Sequence, residues 1–257
     1  MASIFRAIRN AMKGHGPARL FKLAGYGLSE LYNEWRLGIR TLGYVDRGQL
    51  GYDSRDYHFY APTAYRDLTK ALRLVPIRPG EDVFLDYGSG MGRVIVAAGT
   101  YPFRKVIGVE LSEELNRIAR KNIERARRKL RCGGVEVIRA DAAEYVVPHD
   151  VTVVYLYNPF EGPVLARVLE RLRRSVREAP RRLHLIFKNP IHMEALPGAS
   201  AWLTERSGFR CVTGHRCVIY ESRIPLIAPP GPAELHRAGG SAQMQHRPVV
   251  DIPPSGA

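Results

Sequence analysis

Residues 83–92 have the sequence VFLDYGSGMG, and this stretch decides the fold of the chain. The apolar run at its start predicts a buried strand, and Gly88, Gly90 and Gly92 predict a tight turn, because glycine adopts backbone angles that other residues avoid. The apolar residues that follow predict a helix. A glycine-rich turn between a strand and a helix is typical of a ligand site, where a bound anion meets the N–H groups of the helix start.

The same alternation of strand and helix continues to residue 190. Apolar residues run almost without interruption through these strands, which is typical of a parallel sheet covered by helices on both faces. The sequence therefore predicts an α/β fold with a doubly wound, mostly parallel, Rossmann-like seven-stranded sheet that ends in an antiparallel hairpin. The predicted strands are residues 83–88, 105–111, 135–141, 151–160, 181–190, 209–216 and 217–222, and the longer predicted helices are residues 63–75, 92–102, 112–130 and 164–178.

The two ends of the chain differ from this central pattern. Residues 1–45 alternate basic and apolar residues at helical spacing, which predicts one or two amphipathic helices. With the helix that follows, for which Thr63 is the predicted N-cap, they form a predicted N-terminal helical cap over residues 1–75. The main domain is predicted over residues 76–224, and residues 225–257, with seven prolines, are predicted to be a disordered tail.

The formal net charge of +14 favours an anionic partner, either nucleic acid or a membrane surface. Much of this charge falls within residues 117–131 and 167–182, on the outer faces of predicted helices, so a nucleic-acid partner is not favoured. A basic helix over residues 1–30 that lies on a membrane surface is an open alternative to the packed cap.

Composition also bears on location, metals and disulfides. No apolar run approaches the roughly 18 residues of a transmembrane segment, and no signal-peptide pattern is present, so a cytoplasmic location is expected. Cys132, Cys211 and Cys217 are odd in number and lack CxxC spacing, which predicts neither a metal site nor a disulfide framework. The oligomeric state is not indicated.

The glycine spacing distinguishes two classes of ligand. A dinucleotide site requires G-x-G-x-x-G, but position 93, where the third glycine would fall, is Arg93. Asp86 can instead pair with an ammonium group while the helix start binds a carboxylate, which together match the methionine part of S-adenosylmethionine. Glu110 ends the second strand and can accept hydrogen bonds from ribose hydroxyls, a feature that dinucleotide sites share.

Four motifs carry a resemblance to a known family: D-x-G-S-G-x-G at residues 86–92, the acid Glu110, A-D-A at 140–142 and N-P-F at 158–160. Over residues 55–224 the chain resembles the seven-stranded class I S-adenosylmethionine-dependent methyltransferases. Its glycine motif, preceded by a segment that bears Tyr and Thr, is similar to that of the non-SET histone-lysine methyltransferases. Its Y-N-P-F strand end is similar to that of a group of uncharacterised bacterial methyltransferases.

The resemblance implies S-adenosyl-L-methionine as the cofactor, bound at the carboxyl ends of the strands. The segment before the first strand, with Tyr60 and Thr63, would fold over the methionine end. For Asp141 a structural role as a helix N-cap is also open. The implied cofactor-binding residues are Tyr60, Thr63, Asp86, Gly88, Ser89, Gly90, Gly92, Glu110, Leu111, Asp141, Ala142 and Asn158.

The methyl acceptor is expected where the fourth strand ends. In amino-methyltransferases with an N-P-P-aromatic motif, the Asn side chain orients the target amine and the aromatic ring stacks on it. Here a single proline follows Asn158, so Phe160 comes one residue early, and a simple strand-end role for Asn158 is also open. His192, after the fifth strand, is either structural or catalytic. The expected acceptor-site residues are Tyr157, Asn158, Phe160 and His192.

The resemblance thus implies an enzyme that methylates a protein side chain, a peptide or a small molecule. Methyl transfer from a sulfonium needs alignment more than a general base, so the lack of an obvious base does not oppose this function. Two alternatives remain. An RNA or DNA methyltransferase predicts a contiguous basic surface with aromatic residues around the site. A non-catalytic cofactor-binding module predicts binding without turnover.

Overall fold

A computed structural model of the 257-residue chain describes residues 17–43, 45, 60–158, 162–191 and 199–223. The predicted tail lies outside these described residues. Within the described ranges, no helix is long and apolar enough to cross a membrane. The helices are α1 (Pro17–Leu37), α2 (Tyr65–Arg73), α3 (Arg93–Gly99), α4 (Glu113–Ala126), α5 (Gly162–Glu178) and α6 (Ala199–Trp202). The strands are β1 (Val83–Tyr87), β2 (Lys105–Glu110), β3 (Val135–Arg139), β4 (Val151–Tyr157), β5 (His184–Lys188), β6 (Leu203–Arg210) and β7 (Arg216–Ser222).

The strands form one seven-stranded sheet in the order β3-β2-β1-β4-β5-β7-β6. All neighbouring strands are parallel except that β7 is antiparallel to both β5 and β6. This arrangement confirms the predicted mostly parallel sheet with a terminal antiparallel hairpin. The strand order reverses between β1 and β4, so the carboxyl ends of these two strands border the crevice where an open α/β sheet binds its ligand.

The central strand β1 is buried along its whole length because helices cover both faces of the sheet. Successive side chains of a strand point to opposite faces. Accordingly, Val83 and Leu85 join one apolar cluster with α5, and Phe84 joins a second cluster with α2 and α3. Beyond β2, the Ser112 hydroxyl accepts a hydrogen bond from the Leu115 amide at 3.3 Å, so Ser112 caps the start of α4.

The predicted start of α2 is wrong. The helix begins at Tyr65, and its N-cap is Ala64, which makes no side-chain capping bond. The Thr63 hydroxyl instead lies 2.8 Å from the Tyr155 hydroxyl and accepts a hydrogen bond from the Lys188 ammonium at 3.0 Å. A tertiary contact therefore occupies the hydroxyl that the local pattern assigned to the helix start.

The hairpin strand predicted at residues 209–216 is also misplaced. The strand β6 ends at Arg210, and the next residues form the turn to β7, in which the Cys211 amide donates to the His215 carbonyl at 2.7 Å. Because β6 is the edge strand, much of it faces solvent, and polar residues interrupt the apolar run that would have indicated it.

Candidate active site

The turn after β1 has the backbone geometry that its glycines predict. Gly88, Gly90 and Gly92 have φ angles of 72°, 55° and 84°, a region that residues with a Cβ atom rarely adopt. The Gly88 and Ser89 amides donate to the Val109 carbonyl at 2.8 and 3.1 Å, which ties the turn to the end of β2. The turn therefore presents bare backbone at the carboxyl edge of the sheet.

The ring of Tyr60 packs directly on this turn. A Cβ atom at Gly90 would overlap the Cδ2 and Cε2 atoms of the ring. The Tyr60 hydroxyl donates to the Thr41 carbonyl at 2.9 Å, and burial raises its pKa, so it stays a donor at neutral pH. Tyr60 thus covers the glycine turn, while its contact with the cofactor stays a prediction.

We expect Gly90→Ala to destabilise the protein more than its backbone angle alone explains. A left-handed conformation costs an L-residue about 1–2 kcal/mol, and the added methyl group must also displace the Tyr60 ring. Gly80→Ala is the matched control, because Gly80 has a φ of 72° and nothing within 4 Å of its built Cβ atom. Urea unfolding measures both variants. Equal losses would show that Tyr60 moves aside at no cost.

Asp86 is a buried acid at the end of β1. Among the described residues, its Oδ2 atom has no hydrogen-bond partner. Burial, followed by the neighbouring Glu110 carboxylate, raises the pKa of Asp86 well above its usual range. An unpartnered buried polar group is costly, and in a native protein it requires an explanation such as a bound ligand. The ammonium group of S-adenosylmethionine fits this position, since it carries both positive charge and N–H donors.

Glu110, at the end of β2, is hydrogen-bonded to the glycine turn. Its Oε2 atom accepts a hydrogen bond from the Gly90 amide at 3.0 Å, and its Oε1 atom accepts one from the Ser112 amide at 2.8 Å. The carboxylate lies between the turn and the start of α4, at the edge where ribose hydroxyls are expected. Glu110 therefore holds the turn in place, a structural role that the sequence did not indicate, while its contact with the ribose stays a prediction.

The other expected cofactor residues lie at the ends of β1, β2 and β3. The Oγ atom of the buried Ser89 has no partner in the part of the chain that the structure describes. Leu111 is half-buried, and Ala142 belongs to the apolar core. The Asp141 Oδ1 atom accepts a hydrogen bond from the Ala143 amide at 2.8 Å and closes a turn, so its interpretation as a helix cap is wrong. The cofactor contacts of these residues stay predictions.

The end of β4 has an unusual backbone conformation. Asn158 has a φ of 39°, which is uncommon for a residue other than glycine. Its Oδ1 atom is buried without a hydrogen-bond partner among residues 60–158 and the other described ranges. Tyr157, which precedes it, is half-buried. Phe160 and His192, the other expected acceptor-site residues, lie outside the described residues.

A buried lysine that the sequence analysis missed lies beside Tyr157. Lys188 ends β5 in register with Tyr157, and its Nζ atom lies 4.0 Å from the centre of the tyrosine ring. This Nζ atom is also 3.2 Å from Asp67 Oδ2 and donates to Thr63 Oγ1 at 3.0 Å. The lysine thus joins the end of β5, the end of β4 and the segment before α2. The available signal was HLIFK, an apolar strand that ends in a charged residue.

A second buried network joins α1 to the glycine turn. Arg93 directly follows Gly92, is buried, and forms ion pairs with Glu30 and, at 3.1 Å, with Glu34. Its guanidinium also donates to the Thr63 carbonyl at 2.9 Å. Burial raises the pKa of Glu30, and the positive charge of Arg93 offsets part of this effect. The two glutamates, four positions apart in a basic segment, were the available signal.

Residues 50–153 match the family described as "Histone methylation protein DOT1". No curated protein matches the chain. Among solved structures, the chain is similar to an RNA methyltransferase from Salinibacter ruber in complex with S-adenosyl-L-homocysteine, with 25% identity, coverage of 66% of this chain and 97% of that chain, and a TM-score of 0.47. It is also similar to a SAM-dependent methyltransferase from Aquifex aeolicus, with 17% identity, coverage of 61% and 89%, and a TM-score of 0.48.

The fold and the family match support the class of the protein. The strand order with its antiparallel seventh strand and the match of residues 50–153 to a methylation family point to the class I methyltransferases, while the roles of Asp86 and Glu110 in the site stay predictions. The chain is an S-adenosylmethionine-dependent methyltransferase with a Rossmann-like fold, and S-adenosylmethionine is its cofactor. Among the described residues, no group of His, Cys, Asp or Glu side chains could hold a metal ion.

Proposed function

We propose that this methyltransferase acts on a protein side chain, a peptide or a small molecule, and that the acceptor atom is the nitrogen of an amine. The buried Oδ1 atom of Asn158 carries this proposal, because it is a hydrogen-bond acceptor without a donor among the described residues. An amide oxygen is complemented by an N–H group. An amine that donates to this oxygen keeps its lone pair for attack on the methyl carbon.

The relation between β1 and β4 supports this assignment. Asp86 is in register with Tyr155 on the neighbouring strand, three residues before Asn158. The carboxyl group proposed for the cofactor ammonium and the amide proposed for the acceptor therefore border one crevice. Asp86 and Asn158 each offer an acceptor oxygen that lacks a donor within the described chain. In this proposal Asp86 binds the ammonium group of the cofactor and Asn158 binds the acceptor amine.

The protein contributes alignment and exclusion of water to this reaction. The bound cofactor supplies a methyl group that is already activated as a sulfonium. Asn158 orients the amine, and Tyr157, whose ring lies against the buried Lys188, forms the adjoining wall. Tyr60 closes the crevice from the side of the cap, and Phe160 and His192 complete the wall in this proposal.

Local neutralisation of the basic surface favours such an acceptor over nucleic acid. On α5, Arg167 and Arg171 both pair with Glu144, and Arg174 pairs with Glu178. Exposed pairs of this kind contribute little stability, but they reduce the charge available for phosphates. A nucleic-acid methyltransferase would instead need many unneutralised cations along one surface.

Fractionation tests the acceptor class. The protein is incubated with methyl-labelled cofactor and separated protein, RNA and small-molecule fractions of a cell extract. Label in the protein or small-molecule fraction is the expected result, and label mainly in RNA would overturn it. Cofactor binding without transfer to any fraction would identify a binding module rather than an enzyme.

We expect Asn158→Gly to lower turnover about 10- to 100-fold, the loss that follows when an acceptor is poorly oriented. Cofactor affinity and melting temperature should stay near those of the wild type, because glycine accepts the φ of 39° and only the amide is removed. Asn158→Asp, which keeps an acceptor oxygen, is the matched control and should retain more activity. Methyl transfer, calorimetry and thermal unfolding provide the three measurements. A variant that melts earlier but keeps normal turnover per folded molecule would make Asn158 purely structural.

A further inference from the structure

The helix α1 differs from an ordinary surface helix because acidic residues lie on its buried face and large apolar residues lie on its exposed face. Its carboxylates Glu30 and Glu34 point inward to Arg93. Its outward face carries an apolar stripe at positions i, i+3, i+4 and i+7, the spacing of one helix face. The stripe consists of Leu28, Leu31, Tyr32 and Trp35, which are 68%, 55%, 57% and 78% exposed. A contiguous exposed apolar patch of this kind marks an interaction site.

The charge around the apolar stripe is positive. On the part of α1 whose side chains are described, both carboxylates are buried and Arg36 is exposed. The Lys129 ammonium donates to the Arg36 carbonyl, which places the exposed basic turn Arg127–Lys129 beside the end of the helix. In the sequence, residues 1–29 contain five Lys and Arg and no Asp or Glu.

We propose that the apolar stripe of α1 docks the protein on the surface of an anionic lipid bilayer. A helix with Trp, Tyr and Leu on one face and Lys and Arg around it lies in the interface plane, with its apolar face at the boundary of headgroups and acyl chains. The basic residues that flank the stripe are attracted to anionic headgroups. This interaction is separate from methyl transfer and does not rest on the acceptor proposed above.

Two features favour a bilayer over other anionic partners. Half of the stripe, Leu28 and Leu31, is aliphatic, which suits the acyl chains of a bilayer and adds nothing to base stacking. The apolar stripe is also a linear, convex helix face, which a deformable bilayer accommodates, whereas a protein partner would need a matching groove. The rings of Tyr32 and Trp35 are in contact, with their centres 6.1 Å apart, and both residue types are enriched at membrane–water interfaces.

Tryptophan fluorescence tests the proposal directly. The chain has two tryptophans, Trp35 in the apolar stripe and Trp202 in the core. In Trp202→Phe, Trp35 is the only tryptophan, and excitation selective for tryptophan reports on it alone. Its emission should shift to shorter wavelength with vesicles of phosphatidylcholine containing about 30% phosphatidylserine, and the shift should weaken as salt screens the headgroups. Vesicles of phosphatidylcholine alone should produce a much smaller shift.

Vesicle co-sedimentation of the full chain provides a test that does not depend on a tryptophan substitution. Leu31→Ser with Trp35→Ser should weaken binding to the anionic vesicles about tenfold or more. Val146→Ser with Leu74→Ser, which removes two exposed apolar side chains outside the stripe, is the matched control and should bind like the wild type. No emission shift and no co-sedimentation would overturn the proposal. A lipid-free dimer that the stripe variant dissociates would overturn it too, and would assign the stripe to a second copy of the chain.

Discussion

Arg93→Met is expected to lower the free energy of unfolding by about 3–5 kcal/mol, the usual cost of removing one partner from a buried ion pair. The substitution leaves Glu30 and Glu34 buried without their cation, and it removes the donor to the Thr63 carbonyl. Urea unfolding at neutral pH measures the loss. Cofactor binding should weaken as well, because Arg93 begins the helix that follows the glycine turn.

Two comparisons make this prediction specific. Arg104→Met removes an arginine paired with Asp150 at 2.6 Å, but both side chains are half-exposed, so the expected loss is about 0–1 kcal/mol. Replacing Arg93, Glu30 and Glu34 together by apolar residues should recover much of the stability, because no unpaired charge then remains buried. If Arg93→Met and Arg104→Met lose equal stability, the network contributes no more than a surface pair.

Asp86→Asn is expected to have opposite effects on stability and on cofactor binding. Affinity for S-adenosylmethionine should fall by about 1.5–3 kcal/mol, or roughly 10- to 150-fold in Kd, because a hydrogen bond between charged groups is lost. The cofactor-free protein should become more stable at neutral pH. Burial, followed by Glu110, raises the pKa of Asp86 in the folded state, and a neutral amide avoids the cost of a buried charge.

The sign of the pH dependence follows from that raised pKa. Asp86 contributes its full stability below the carboxyl pKa of the unfolded chain, about 3.9, and this contribution is lost as the pH rises through the higher pKa of the folded state. The advantage of Asp86→Asn in melting temperature should therefore grow with pH over that window. Calorimetry over the same range should show wild-type affinity for the cofactor rising with pH and that of the variant staying level. Wild-type affinity in Asp86→Asn would remove Asp86 from the cofactor site.

The central part of the fold could be predicted because its signals are local. A continuous apolar strand and three glycines with alternate spacing each act within a few residues, and the structure confirms the strand and the turn. The edge strand β6 was misplaced because solvent on one side removes the apolar run that reveals buried strands. Thr63 was misassigned for a related reason, since the partners of its hydroxyl, Tyr155 and Lys188, are remote in sequence.

The buried charges could not be predicted for a different physical reason. Charged residues are usually exposed, so composition alone places Lys188 and Arg93 at the surface. Their burial depends on partners brought close by the fold, and Arg93 and Glu30 are 63 residues apart. Asp86 was predicted at the site from its position before the glycines, but its lack of a partner within the described chain became visible only in the structure.

The pairing of α1 with the glycine turn also limits how this protein can change over evolution. A substitution at Arg93 alone, or at both Glu30 and Glu34, passes through an unpaired buried charge, so these three positions are expected to covary among related chains. A cap grafted from a relative would then function only if the residue after the glycine turn were transferred with it. We therefore expect the N-terminal helix and the glycine turn, although distant in sequence, to change together.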